Sequence, residues 1–421
     1  MRTLLDVVGH LTARSDNKQP GFFSLVDFGT DTVKAVVVRR EKAGVRILGY
    51  GFAPVEGHSL AGGRADIAAL AAAADGALVA AEDRTEAADH GKIVPDEALF
   101  CIPAQLTRGE CFTVRQTRAA PDVPIAGREL KNAWERVERL ARERLASLGD
   151  DDDKVPWKPL AITPGVITVD GHQVTDPVGL KGRDLSLSAF GVAAWPPALQ
   201  AAEAIADRLE LALINLVAAP QSLTAVVPQR EAILIDIGAL GTGLHLIRHD
   251  VLVSTSWWPQ GGQFFTQSLC RAFRCLPEEA EALKRAYADQ ALSTSDKDLV
   301  ARSLAKPIAI WLESLAGHLQ QMTSRQVACR PTDAPLDSDR ADHLPGRIYL
   351  TGGGSLLPGL SQALNALESS PALSFRRSLE SEALGPRLGA RVPGHLTLLD
   401  LPPHPVSDLL APAISLATCL E

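Results

Sequence analysis

The opening of the chain alternates short apolar runs with polar, glycine-containing links. Residues 25–38 read LVDFGTDTVKAVVV, in which two apolar runs flank a short polar link. Runs of this length, joined by so few residues, predict the two strands of a hairpin. The apolar run at 44–55 predicts a third strand, the alanine-rich stretch at 66–82 predicts a helix, and EALFCIPA predicts a fourth strand. Strands followed by a packing helix favour an α/β sheet covered by helices.

The pattern changes at about Cys111. The sequence CFTVRQT predicts a strand, and the strongly charged residues 128–148 predict a helix with an apolar stripe at helical spacing. Asp170 and Gly171 then separate two short apolar runs, which is typical of a tight hairpin. We therefore expect a small α+β subdomain over residues 111–183, inserted into a larger domain.

The second half of the chain repeats the plan of the opening. A helix predicted at 197–213 leads to AILIDIGALGTGLHLI, which is an apolar strand, an aspartate, a glycine-rich link and a second apolar strand. A helix starting near Thr266 and another at 296–327 follow, and RIYLTGGGSLLPGLSQAL predicts a strand that ends in three glycines before a helix. Repetition of one strand–turn–strand unit predicts an internal duplication.

Composition narrows the possible classes of protein. A length of 421 residues predicts more than one domain, and a net charge of −8 argues against nonspecific nucleic-acid binding. The sequence shows neither a long uncharged apolar stretch nor the apolar centre of a signal peptide, so we expect a cytoplasmic protein. Six cysteines without a C-x-x-C pair and ten histidines without H-E-x-x-H favour neither a disulfide framework nor a zinc site.

The link after the first strand has the residues that a phosphate site needs. Gly29 permits close backbone approach, so successive N–H groups can point at one anion. Thr30 and Thr32 add hydroxyl donors, Lys34 adds a positive charge, and Asp27 suits a Mg²⁺ ion held through water. A similar loop at Asp236 would face the first, and the glycines at 352–354 would form a third loop beside the base or ribose. The sequence therefore predicts a phosphate-binding cleft.

These motifs resemble the actin-like ATPase superfamily. The signals are D-x-G-x-x-x-V-K-A at 27–35, D-I-G at 236–238 and T-G-G-G at 351–354. Within that superfamily the chain is similar to the bacterial cell-division family FtsA, with the pilus-assembly family PilM second. The segment VDGHQVTDPVGLKGRDLSL, which matches V-D-G…D-P-x-G-x-x-G-x-x-L of the FtsA family, is the more specific signal.

The resemblance implies a two-lobed actin-like fold, that is, a duplicated ribonuclease H-like fold with a small inserted α+β subdomain. The expected divisions are an N-terminal extension at 1–20, lobe 1 at 21–110 and 184–230, an SHS2-like interaction subdomain at 111–183, lobe 2 at 231–400 and a closing helix at 401–421.

The resemblance also implies that ATP and Mg²⁺ bind in the cleft. The residues that it places around the nucleotide are Asp27, Gly29, Thr30, Thr32, Lys34, Asp236, Gly238, Thr242, Gly262, Glu281, Lys284, Gly352, Gly353 and Gly354. Asp27 and Asp236 would hold the metal, and Glu281 and Lys284 would reach the ribose and base. No residue is assigned a catalytic role.

The second loop departs from the family pattern. The family reads D-I-G-G-G-T-T-D, whereas Leu240, Gly241 and Gly243 stand where a glycine, a threonine and an aspartate are expected. Ser268 also replaces a common aspartate. We therefore expect an ATP-binding scaffold that hydrolyses ATP slowly or not at all. The alternatives are a PilM-like pilus or secretion assembly protein, a nucleotide-free interaction module, and a small-molecule kinase or phosphatase on the same fold.

The resemblance implies that the protein associates with itself or with a division or pilus-assembly protein. The closing segment PVSDLLAPAISLATCLE has no Lys or Arg, unlike the basic amphipathic helix that ends FtsA proteins. The first residues, MRTLLDVVGHLTAR, have an apolar face but little positive charge. We therefore expect membrane contact to be weak or indirect.

Overall fold

A computed structural model describes residues 21–42, 44–55, 66–86, 91–148, 156–328, 343–389 and 397–420. The predicted N-terminal extension lies outside these ranges. The strands, numbered along the chain, are β1 (Gly21–Phe28), β2 (Thr32–Glu41), β3 (Gly44–Pro54), β4 (Glu97–Ile102), β5 (Thr107–Thr117), β6 (Lys158–Val169), β7 (His172–Val174), β8 (Asp184–Ala194), β9 (Ala212–Ala218), β10 (Ala232–Ile237), β11 (Thr242–Arg248), β12 (Val251–Trp258), β13 (Arg347–Thr351), β14 (Glu380–Ala383) and β15 (Leu398–Leu399).

The α-helices are α1 (Ile67–Glu86), α2 (Gly127–Ala146), α3 (Pro196–Arg208), α4 (Ala219–Val226), α5 (Gly262–Phe273), α6 (Pro277–Ala288), α7 (Thr294–Ala328), α8 (Leu360–Leu364) and α9 (Val406–Ser415). The predicted helix at 197–213 ends too late. Helix α3 stops at Arg208, and residues from Ala212 onward form β9, whose Leu213, Ile214 and Leu216 suit a strand.

The first sheet belongs to lobe 1. Its strands lie in the order β15-β3-β2-β1-β4-β9, with β1, β2 and β3 antiparallel in turn and β4 and β9 parallel to β1. The predicted opening hairpin is confirmed. The middle of β2 is buried on both faces, which explains its unbroken run of apolar residues.

The second sheet repeats this plan in lobe 2. Its order is β12-β11-β10-β13-β14, again with three antiparallel strands followed by two parallel ones. The matching topology confirms the predicted duplication. Asp27 is the last residue but one of β1, and Asp236 is the last residue but one of β10. Each of these strands lies between its hairpin partner and a parallel strand. Both aspartates therefore sit at the carboxyl end of a central strand, where α/β sheets bind ligands.

The third sheet forms the small inserted subdomain, called the insert from here on. Its order is β5-β8-β6-β7, and α2 covers one face. The boundaries predicted at 111 and 183 are too narrow, because β5 begins at Thr107 and β8, which continues to Ala194, pairs with both β5 and β6. The insert therefore covers residues 107–194. Its other face packs on lobe 2 where Phe190 and Val192 meet Leu252.

One apolar cluster joins the two lobes. It combines Leu25 of β1 and Leu234 of β10 with Leu223 of α4 and Leu410 of α9. The chain also returns to lobe 1 before residue 400, since Leu398 pairs with β3, so the predicted end of lobe 2 is too late. The closing helix α9 thus packs between the lobes and fixes the floor of the cleft.

Candidate functional site

The first loop, residues 28–31, follows a carboxylate that is held by a lysine. Asp27 of β1 lies directly opposite Lys34 of β2 in the antiparallel register. The Oδ2 atom of Asp27 is 2.6 Å from Lys34 Nζ, and both side chains are largely buried. Thr30 and Thr32 lie half-buried at the same turn. Because cross-strand neighbours face each other on one side of a sheet, the hairpin register itself forms this ion pair.

Asp236 brings a second carboxylate to the same place from lobe 2. Burial raises the pKa of Asp236 to about 6, an effect that Lys34 opposes and the charge of Asp27 increases. Burial alone would lower the pKa of Lys34, but the charge and hydrogen bond of Asp27, together with the charge of Asp236, raise it above its ordinary value. The ammonium group therefore stays charged, paired with Asp27 and within reach of the charge of Asp236 from the other lobe.

Two glycines keep the space around these groups free of side chains. A Cβ on Gly29 would press against the carbonyl oxygen of Thr32 and lie 3.3 Å from Lys34 Nζ. Gly352 has a φ of 81°, and a Cβ there would lie 2.5 Å from Asp236 Oδ1. Only glycine fits at such positions, and the bare backbone can approach an anion closely.

The second loop, residues 238–241, is held by the start of α5. The N–H of Gly238 donates to the carbonyl of Gly241 at 2.9 Å, and the N–H of Gly262 donates to the carbonyl of Gly238 at 2.8 Å. The next amide of α5 donates to the next carbonyl of the loop. The predicted residues Gly238 and Gly262 are therefore in direct contact.

Glu281 and Lys284 reach the same region from α6. Lys284 Nζ donates to the carbonyl of Gly262 at 3.0 Å and to Thr266 Oγ1 at 2.8 Å, and it lies 2.6 Å from Glu281 Oε2. Burial acts to raise the pKa of Glu281, but Lys284 lowers it overall through its charge and hydrogen bond. This network fixes α6 against the start of α5 and the second loop.

The remaining predicted residues differ in where they point. Gly354 packs against Ile237, and Gly353 is exposed beside Leu409. Thr242 faces the interior of lobe 2 instead of the cleft, because its Oγ1 donates to the carbonyl of Gln260 at 2.6 Å and accepts from Trp311 Nε1 at 3.0 Å. The hydroxyl of Thr242 is therefore bound within lobe 2, whereas Gly352 contacts Asp236 directly.

Two departures from the family pattern have a steric explanation. A Cβ on Gly241 would overlap the ring of Trp257 and lie 2.5 Å from the carbonyl of Trp258. A Cβ on Gly243 would lie 2.9 Å from His245 Nε2. Larger residues at both positions are therefore excluded by neighbours that occupy the space.

Pattern reasoning missed two residues that lie close to the site. Cys101 is paired with Asp27 in the parallel register of β4 and β1, and its thiol is buried. Burial, with the nearby charge of Asp27, raises the pKa of Cys101 well above its ordinary value, so the thiol stays neutral. His245 lies two positions after Gly243, so strand alternation puts both on the face that contains Asp236. The alternation of side chains along the strand is therefore the sequence signal that could have identified His245.

The donor set fits Mg²⁺ with a nucleotide better than a metal held by protein alone. In the described ranges, no group of three or more His, Cys, Asp or Glu side chains is arranged to bind a metal ion. Two carboxylates leave most of the coordination of Mg²⁺ to water and phosphate, which is how that ion usually binds.

Two similar sheets, a cleft with an aspartate from each, and an insert on lobe 1 define a protein with the actin-like fold. No family model matches the chain. The structure matches a chain in a solved structure of a PilM–PilN type IV pilus biogenesis complex, with a TM-score of 0.60 and 18% sequence identity. The match covers 94% of this chain and 98% of the other chain. That likeness supports the fold.

The sequence is similar to the cell-division protein FtsA. It is 24% identical to FtsA of Streptococcus pneumoniae over 348 residues, which are 81% of this chain and 72% of that protein. It is 25% identical to FtsA of Enterococcus faecalis over 354 residues, which are 81% of this chain and 75% of that protein. The resemblance noted in the motifs therefore extends across most of the chain. No helix in the described ranges has the length and apolar character needed to cross a membrane.

Proposed function

We propose that this protein is an ATP-binding scaffold of FtsA type that assembles with itself or with a division partner and hydrolyses ATP slowly or not at all. The observation that supports this most is the ion pair of Lys34 with Asp27 in lobe 1, which lies close enough to Asp236 of lobe 2 for the three charges to interact. A ligand bound there contacts both lobes, so it can stabilise one arrangement of the lobes over others. A pilus-assembly role has support from fold likeness alone, whereas the FtsA similarity is in the sequence.

The chain's own groups have distinct parts in this proposal. The ammonium of Lys34 attracts the phosphates, and the Asp27 carboxylate holds that ammonium in place. The backbone at Gly29 can offer an N–H donor to a phosphate oxygen. A bound Mg²⁺ would neutralise phosphate charge beside the two carboxylates.

We predict that Asp27→Asn weakens binding of a fluorescent ATP analogue with Mg²⁺ by about tenfold or more. The change removes a charge that would hold the metal and position Lys34, yet it keeps the size of a side chain that is 4% exposed. Equilibrium titration measures the affinity, and phosphate release measured on the wild type should stay well below the roughly 1 s⁻¹ of slow enzymes.

Asp31→Asn is the matched control, because Asp31 is an exposed carboxylate in the same loop. It should leave the affinity within about twofold of wild type. Equal affinity of the Asp27→Asn variant and the wild type would show that the loop is an ordinary turn. If the wild type binds no ATP at all, the nucleotide-free interaction module becomes the better description.

We also propose that the insert contacts a second copy of the chain. Two of its loops, residues 118–126 and 175–183, are joined by backbone hydrogen bonds such as Ile125 N–H to the carbonyl of Leu180 at 2.8 Å. Buried Arg118 fastens them, since it pairs with Glu129 at 2.7 Å and also donates to backbone carbonyls of both loops.

This fastened pair of loops exposes three apolar side chains, with 56% of Val123, 43% of Val178 and 40% of Leu180 accessible. An apolar patch on a rigid surface is typical of a contact with another protein. Removing the whole insert would be a poor test, because it would expose the cluster around Leu252 in lobe 2.

We predict that the double variant Val123→Glu/Leu180→Glu loses self-association in sedimentation and electron microscopy with Mg-ATP. A carboxylate buried at an interface without a partner commonly costs several kcal/mol. Val94→Glu, at an equally exposed valine of lobe 1, should assemble as the wild type does. If the Val123→Glu/Leu180→Glu variant assembles at the same protein concentration as the wild type, the contacts between copies lie elsewhere on the lobes.

A further inference from the structure

His245 comes after the predicted residues of the second loop in the sequence, and it lies on the face of the lobe 2 sheet that contains Asp236. Asp236 is directly opposite Gly243 in the β10–β11 register, and His245 is the next residue of β11 on that face. The neighbouring residues of the strand, Leu244 and Leu246, point the other way, into the core beneath the helices of lobe 2. His245 is therefore the first side chain on the cleft face of β11 beyond the gap left by Gly243.

One ring nitrogen of His245 has a hydrogen-bond partner among the described residues, and the other has none. Its Nδ1 is 2.8 Å from Thr255 Oγ1, on the neighbouring strand. Its Nε2 is buried and has no hydrogen-bond partner among the described residues. Nε2 lies over Gly243, where an added Cβ would be 2.9 Å from it, and the Cβ of Ala104 from lobe 1 bounds the same place, 3.5 Å from that Cβ position. A buried polar atom without a partner is costly, so its persistence points to a ligand.

We infer that His245 is a further residue of the phosphate site, whose Nε2–H donates a hydrogen bond to a phosphate oxygen of the nucleotide across Gly243. This inference rests on the proposed function and adds a binding residue to it. In this assignment the hydroxyl of Thr255 donates to Nδ1, which leaves the single ring proton on Nε2, where it faces the anion. The ring also occupies the place of a side chain at position 243, so Gly243 and His245 work as a pair.

The neutral form of the ring is the one that the structure favours. His245 is completely buried, and burial lowers its pKa to about 3. The imidazole therefore contributes a single directed donor near neutral pH and no charge. In this respect it differs from Lys34, whose ammonium approaches the site from lobe 1.

The test compares the affinity for an ATP analogue, with Mg²⁺ present, of three single variants. His245→Leu fills the same space without a donor, so the dissociation constant should rise about tenfold. His245→Gln, whose amide can place a donor near the Nε2 position, should stay within about threefold of wild type. His318→Leu is the matched control. His318 bonds to Ser256 at 2.7 Å and stacks on Trp258 on the other face of the sheet, so its loss should leave the affinity unchanged.

A second measurement does not depend on affinity. In protein labelled with ¹⁵N-histidine, the spectrum should show His245 protonated at Nε2, and that signal should shift when Mg-ATP is added. Equal affinity of the His245→Leu variant and the wild type, or an unchanged Nε2 signal at saturation, would overturn the assignment while leaving ATP binding intact. If the wild type binds no nucleotide, the proposed function and this assignment are both wrong.

A pair of variants tests the shared space. Gly243→Asp alone should lower the unfolding midpoint, because its Cβ would crowd Nε2. Combining it with His245→Ala should recover much of the loss, since the carboxylate then has room. An additive loss in the double variant would contradict the pairing of the two positions.

Discussion

Gly352→Ala should destabilise the protein by at least about 3 kcal/mol and abolish nucleotide binding. The backbone at Gly352 has a φ of 81°, which is unfavourable for any residue with a Cβ. The added carbon would lie 2.5 Å from Asp236 Oδ1 and 2.6 Å from the carbonyl of Ile237. Since β10 and β13 are paired there and α9 packs beside them, neither neighbour can move without breaking the sheet. Urea unfolding followed by tryptophan fluorescence measures the loss.

Gly353→Ala is the control at the next residue. Gly353 is exposed, and an added Cβ would meet only Leu409 at an ordinary 3.6 Å. Its stability should stay within about 0.5 kcal/mol of wild type. If both variants have the same free energy of unfolding, the loop responds in the same way to a side chain at either position. The specific fit of Gly352 against Asp236 would then be wrong.

The sequence alone was sufficient to predict the parts of the fold that repeat. Alternation of apolar strands with glycine links predicted both hairpins, and the similar plans around Asp27 and Asp236 predicted the duplication. These features are local, because strand period and turn chemistry depend on a few neighbouring residues. The ends of elements were less certain, as with the helix predicted to continue through Leu213, because leucine is a good helix former and only the following Ile214 favours a strand.

The side chains that complete the site could not be predicted, because contacts between distant elements place them. Trp257 fills the space beside Gly241, and His245 fills the space beside Gly243, so two apparent losses from the family pattern are matched by neighbours. Thr242 illustrates the opposite error. Its hydroxyl fits the motif, but the strand turns it toward Trp311 in the core. A motif gives the residue type, and only the sheet register gives the direction of the side chain.

Lys34 is the residue whose removal should show most clearly that the two lobes share one charged centre. Its ammonium lies 2.6 Å from Asp27 Oδ2 and interacts with the charge of Asp236. Replacement by methionine keeps an unbranched apolar stem but leaves the buried carboxylate of Asp27 without its cation and close to the charge of Asp236. Breaking a buried pair in this way typically costs roughly 3–5 kcal/mol. We therefore predict a loss of that size for Lys34→Met in urea unfolding at pH 7 with metal chelated.

The loss should be smaller at pH 5 than at pH 7. In the folded wild type the pKa of Asp236 is about 6, above the value of 3.8 for a free aspartate, so ionisation of this group favours the unfolded state. The stability that protonation provides is thus present at low pH and lost as the pH rises toward 6. Without Lys34 the pKa of this carboxyl should rise further, which extends the pH range over which stability falls.

Two further measurements complete the test of Lys34. Lys92→Met, which removes an exposed lysine paired with Asp83 at 2.7 Å, should cost less than about 1 kcal/mol at either pH. Millimolar Mg²⁺ should restore part of the stability of the Lys34→Met variant, because a divalent cation can take the place of the ammonium between the carboxylates. A Lys34→Met variant as stable as the Lys92→Met variant at pH 7 would mean that Asp27 and Asp236 do not share a cation, and the proposed phosphate site would lose its main support.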